Sequence, residues 1–148
     1  MRIHIQTLHA PYCGPEIKPG SVVVAYSNDA LKWKWHLVIG ISDDGTACLA
    51  VLFNTRKPFP NVPHLVKLQC HLSKATTPFL KHDCYANCAH PVVKPVSELQ
   101  DVIKLRANNF KGNISIRKLD EIRTFVANAI TVAPNDVKDY GLEPFLIE

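Results

Sequence analysis

The chain has 148 residues, of which 47% are hydrophobic and 20% charged, a balance that belongs to folded globular proteins and excludes a disordered or fibrous chain. Seventeen basic against thirteen acidic residues leave a net charge of +4, which admits an anionic partner without requiring one. Five cysteines, an odd number, fit reduced thiols better than a disulfide framework, and the length suits a single domain over 1–148.

From Met1 to Thr7 polar residues interrupt the apolar ones, so no signal-peptide core is expected there. The longest apolar run, Leu37 to Ile41, is far short of the roughly 20 residues that span a bilayer. The expectation is a cytoplasmic protein with no membrane segment. Residues 1–17 read as loop, with Pro11, Gly14 and Pro15 as punctuation.

A meander of strands follows. Ser21–Tyr26 is the first, rich in valine, and Trp35–Ile41 the second. Asp43-Asp44-Gly45 supplies the positive φ of a tight turn, and Cys48–Phe53 is the third strand. Short connections of this kind close naturally as a small barrel or a strongly bent sheet. Residues 56–64 are basic and proline-rich and must be loop. Short strands are expected near 65–68 and 85–88, with a weak helical turn at 97–103. The barrel region thus covers about 18–95 and a helical part 96–148. Leu119, Ile122, Phe125, Val126, Ala129 and Ile130 recur at helical spacing, which predicts a long C-terminal helix from Ser115, its N-cap, to about Ile130.

Three constellations can carry chemistry. In Lys32-Trp33-Lys34-Trp35-His36 cations, indoles and an imidazole lead into a buried strand. Cations bind phosphate, indoles stack on bases and histidine moves protons near neutral pH. The third strand ends in Asn54-Thr55-Arg56-Lys57. Antiparallel pairing across the Asp43–Gly45 turn brings that end close to Trp35-His36, so one rim is expected to hold Lys34, His36, Thr55 and Arg56. The third segment, Lys81-His82-Asp83, extends a basic groove or forms a solvated bend, and the sequence leaves both open.

Cys70-His71 and His82, Cys84, Cys88 and His90 together offer six potential zinc ligands and invite a metal reading. On one strand face such residues lie about 6.6 Å apart, whereas thiolates on one zinc lie about 3.8 Å apart. The expectation is no metal and no cofactor, with Cys84 and Cys88 as small buried apolar groups.

The order of these features resembles the PemK/MazF group of toxin-antitoxin toxins. The resemblance is carried by Lys18-Pro-Gly-Ser-Val-Val23, the basic loop running into Lys34–Ile41, the threonine ending Val51-Leu-Phe-Asn-Thr55, and Gly112–Ser115 leading into a helix. It covers about residues 17–131. It implies an SH3-like antiparallel β-barrel with appended helices, usually a homodimer, acting as a metal-independent endoribonuclease on single-stranded RNA and held in check by a cognate antitoxin. Thr55 matches the family's catalytic threonine. The family's arginine falls on Trp35-His36, where no arginine stands.

The reading from sequence is therefore a mainly β (α+β) chain acting on RNA. His36 is the expected general acid or base, Arg56 and Lys34 stabilise phosphate charge, Thr55 orients it, and Lys32, Trp33, Trp35 and Lys57 bind the strand. The rivals are a non-catalytic nucleic-acid- or protein-binding module on the same scaffold and a zinc-stabilised interaction domain.

Overall fold

A computed structural model describes residues 11–147. The first ten residues, which hold the start of the expected 1–17 loop and the alternating Met1–Thr7 segment, lie outside the described residues. Seven strands form one antiparallel sheet: β1 (Ser21–Ser27), β2 (Lys32–Ile41), β3 (Ala47–Asn54), β4 (Gln69–Leu72), β5 (Cys84–Asn87), β6 (Val92–Pro95) and β7 (Phe110–Asn113). Among the described residues four α-helices accompany them: α1 (Pro63–Val66), α2 (Val96–Leu105), α3 (Ile116–Asn128) and α4 (Pro134–Asp139).

The meander β1-β2-β3 is the one the valine-rich runs and the Asp-Gly turn call for. The Asp44 carboxylate ties that turn, accepting from the Thr46 amide at 3.1 Å and from the Ser42 hydroxyl at 2.8 Å. The strand order is β4-β5-β3-β2-β1-β7, with β6 also on β3. One edge of β3 serves two strands: Ala47–Ala50 pairs with β6 and Phe53–Asn54 with β5. The sheet forks there and the outer strands β4 and β7 do not pair with each other, so the expected closed barrel is not formed.

Side chains alternate between the two faces. Val22, Leu37, Ile39, Leu49, Val51 and Phe53 pack on one face against Leu119, Ile122 and Val126 of α3. Val23, Ala25, Val38 and Cys48 pack on the other against Leu99, Val102 and Ile103 of α2. Both faces of mid-β2 are thus covered, which is why an uninterrupted apolar run suits it.

The helical half differs from expectation in several places. Ser115 caps α3, its Oγ accepting the Lys118 amide at 3.2 Å, but the helix ends at Asn128. Ala129 turns extended and Pro134 opens α4, so a single long C-terminal helix is replaced by α3, α4 and a short 3-10 turn at Glu143–Phe145. The strand expected at 65–68 is instead the turn α1, begun by Pro63, and the strand comes at Gln69–Leu72. The weak turn at 97–103 is a full ten-residue helix, α2, and β7 had no strong sequence signal. No described helix is long and apolar enough to cross a membrane.

Candidate nucleic-acid interface

The site arises where two strand pairs part. β1 and β2 stay paired from Val22/Leu37 to Ser27/Lys32, whereas the β2–β3 ladder ends at His36/Leu52. Past that point β3 pairs with β5. A cleft of about 270 Å³ fills the gap, walled by Lys32–Trp35 of β2, Phe53–Thr55 at the end of β3, and Leu80, Lys81, His82 and Cys84 from the segment leading into β5.

Among the described residues, three lysines and no carboxylate line the cleft. The Lys34 ammonium donates to Asn54 Oδ1 at 2.5 Å, bridging the gap where ladder bonds cease. Burial lowers its pKa from the usual lysine value, and the neighbouring Lys32 charge adds to the effect. Trp33 is 56% exposed, with Tyr26 edge-on at 6.1 Å. Trp35 is more engaged: it stacks on Phe79 at 6.4 Å, and the Lys111 ammonium lies 5.3 Å from its ring. Burial lowers the Lys111 pKa, with Lys81 and Arg106 as further positive neighbours.

The third wall is anchored from behind. Gly112 has φ +143°, and a Cβ there would stand 3.0 Å from the Phe79 ring, so the bare backbone lets Phe79 lie flat beneath Trp35. At the base of this segment Asp83 accepts from the Lys74 amide at 2.8 Å and lies 3.4 Å from His71 Nε2. The Lys74 bond is the main reason its pKa lies below the usual carboxylate range.

Of the expected rim, the structure brings Lys34 and Thr55 together, and the expected RNA-binding residues Lys32, Trp33 and Trp35 line the same cleft. It does not bring His36 there. His36 is fully buried on the face covered by α2, its Nδ1 donating to the Lys34 carbonyl at 2.9 Å, while Nε2 is buried with no partner among the described residues. Burial pushes its pKa down to about 4, with Lys94, Glu98 and Lys34 as charged neighbours. A proton carrier near neutral pH needs access and a matched pKa, and this imidazole has neither. Arg56 is exposed but does not line the cleft. Lys57 lies to one side, 5.4 Å over the Tyr85 ring.

Lys81 and His82, which the sequence leaves open between groove and bend, line the cleft, while Phe79 and Lys111 meet Trp35 without a sequence pattern that pairs them with it. Alternation along β2 could have flagged His36 as one step deeper than Lys34 on the same face, but not the helix that covers it. Cys84 and Cys88 are buried in the core. No group of three or more His, Cys, Asp or Glu side chains converges as a metal site among the described residues.

No protein-family model matches this chain, and no curated protein matches it. The PemK/MazF resemblance therefore rests on the residue pattern alone.

Proposed function

We propose that the cleft between β2 and β3 binds single-stranded RNA, with phosphate on Lys32, Lys34 and Lys81 and a base against Trp33. The observation that carries the reading is the meeting of three lysines, no carboxylate and both of the chain's tryptophans around one small opening. Lysines neutralise phosphate regardless of sequence, and an exposed indole face stacks any base. The Thr55 hydroxyl and Asn54 amide offer partners for a ribose 2′-hydroxyl. An opening of this size suits a splayed single strand better than a duplex.

A second reading is cleavage, as in the toxin-type endoribonucleases the sequence resembles, with an antitoxin and a homodimer as its corollaries. The specific observation favouring it is that Lys34 and His82, groups able to take and give a proton, line one cleft with Thr55, and burial lowers the Lys34 pKa from the usual lysine value. There the 2′-oxygen would attack the adjacent phosphorus, the bond to the 5′-oxygen would break, and a cyclic phosphate and a 5′-hydroxyl would result. Lys34 would take the 2′-hydroxyl proton and His82, also in the cleft, would protonate the leaving oxygen.

The test incubates the purified chain with single-stranded RNA and reads binding and fragmentation together. Saturable, salt-sensitive binding with intact RNA is the expected result. Fragments with cyclic phosphate ends, lost in Lys34→Gln, would establish the second reading. Neither binding nor fragments would remove both.

A further inference from the structure

Directly opposed residues in an antiparallel pair point to the same face. His71 opposes Tyr85, and Tyr85 opposes Asn54. Continuing the register in which His36 faces Leu52 sets Lys34 opposite Asn54, as their side-chain bond requires. Lys34, Asn54, Tyr85 and His71 thus form a row across β2, β3, β5 and β4. Tyr85 stands one paired strand, about 4.8 Å, beyond Asn54, whose side chain the Lys34 ammonium reaches from across the cleft.

The packing helix leaves the far half of the row open. The cluster under α2 contains no residue of β4 or β5. Tyr85 is half-buried, and the groups at its ring are the exposed Lys57 ammonium at 5.4 Å and the His71 ring at 5.4 Å, tilted by 56°. A cation over a ring at an exposed site is weakly held. A base can take the ring face while Lys57 moves to the phosphate that precedes or follows it. One extended sugar–phosphate link can cross the distance from the cleft.

We propose that Tyr85, with Lys57, is a second nucleotide subsite, so that the site takes at least two successive nucleotides of a single strand. This rests on the reading of the cleft as a nucleotide site. Without it the row would be an ordinary polar sheet face.

The test titrates the full chain with a ribonucleoside monophosphate and with RNA dinucleotides and tetranucleotides at low salt. Tryptophan fluorescence is the readout, since both tryptophans line the cleft and Tyr85 does not. In the wild type a dinucleotide should bind about 5- to 100-fold more tightly than the mononucleotide, the range expected for one stacked base. Tyr85→Leu should abolish most of that gain and leave the mononucleotide unaffected, whereas Tyr85→Phe should retain it. Lys57→Gln, on the surface, should lower the gain without touching the fold. Mononucleotide binding with no gain on lengthening, or a gain that survives in both Tyr85→Leu and Lys57→Gln, would overturn the second subsite and leave the cleft standing. No binding of any of these ligands would overturn the cleft reading and the subsite with it.

Discussion

The Lys34 ammonium donates to the Asn54 amide oxygen at 2.5 Å, across the gap where β2 and β3 have ceased to pair. One neutral acceptor holds the cation in place and leaves its charge uncompensated. A carboxylate at position 54 would instead neutralise it. The pairing therefore keeps a half-buried positive charge at the mouth of the cleft, where the proposed anionic ligand would meet it with little solvent between.

Lys34→Met keeps the apolar stem and removes the charge. Affinity for single-stranded RNA should fall roughly 10- to 100-fold, as for loss of a hydrogen bond to a charged group. The slope of log affinity against log salt should flatten by about 0.7. A filter-binding series at several salt concentrations checks both.

The two indoles should separate binding from stability. Trp33→Ala, at a 56% exposed position, should weaken RNA binding by about 1 to 3 kcal/mol and leave the melting temperature nearly unchanged. Trp35→Ala removes the partner of Phe79 and should cost about 3 kcal/mol of stability. Calorimetry of both variants beside a binding assay decides the matter, and the reverse pattern would mean the roles are exchanged.

His36 should govern acid stability. Its pKa of about 4 lies below the ordinary 6.5, so the unfolded chain takes up the proton first as pH falls. The neutral imidazole's contribution is complete above about pH 6.5 and is lost toward pH 4, up to about 3 kcal/mol. His36→Leu should flatten stability across that window and leave neutral-pH RNA affinity intact. A folded His36→Leu protein that no longer binds RNA would return the histidine to the site.

Thiol chemistry checks the core. Cys48, Cys70, Cys84 and Cys88 are buried, and burial pushes the first three up to about 12, 12 and 11 and the last higher still. Cys13 is exposed. A thiol reagent should therefore modify one cysteine quickly in the native protein and the remaining four only on unfolding.

The parts of the site that could be read in the sequence are those set by one local hairpin. Alternation and a single Asp-Gly turn suffice to bring Lys34 towards Asn54 and Thr55, because register follows from the turn. The third wall could not be read this way. Phe79 reaches Trp35 over more than forty residues of chain, and Lys111 comes from β7, so only tertiary packing brings them in. The same holds for His36, whose burial depends on α2, and for the open sheet, whose fork depends on β5 and β6 sharing one edge of β3. The helix α3 was readable because its stripe of Leu119, Ile122 and Val126 repeats at 3.6 residues. Its early end was not, since Ala129 and Ile130 continue the apolar pattern past the last turn.

On the proposed function, anionic single-stranded RNA occupies the lysine-walled cleft beside Trp33. The most direct measurement follows tryptophan fluorescence while a short single-stranded RNA is titrated at several salt concentrations. A saturable change, much smaller in Trp33→Ala, and a log–log salt slope of about −2 from the three cleft lysines are expected. Binding with no fluorescence change, or an affinity indifferent to salt, would contradict it.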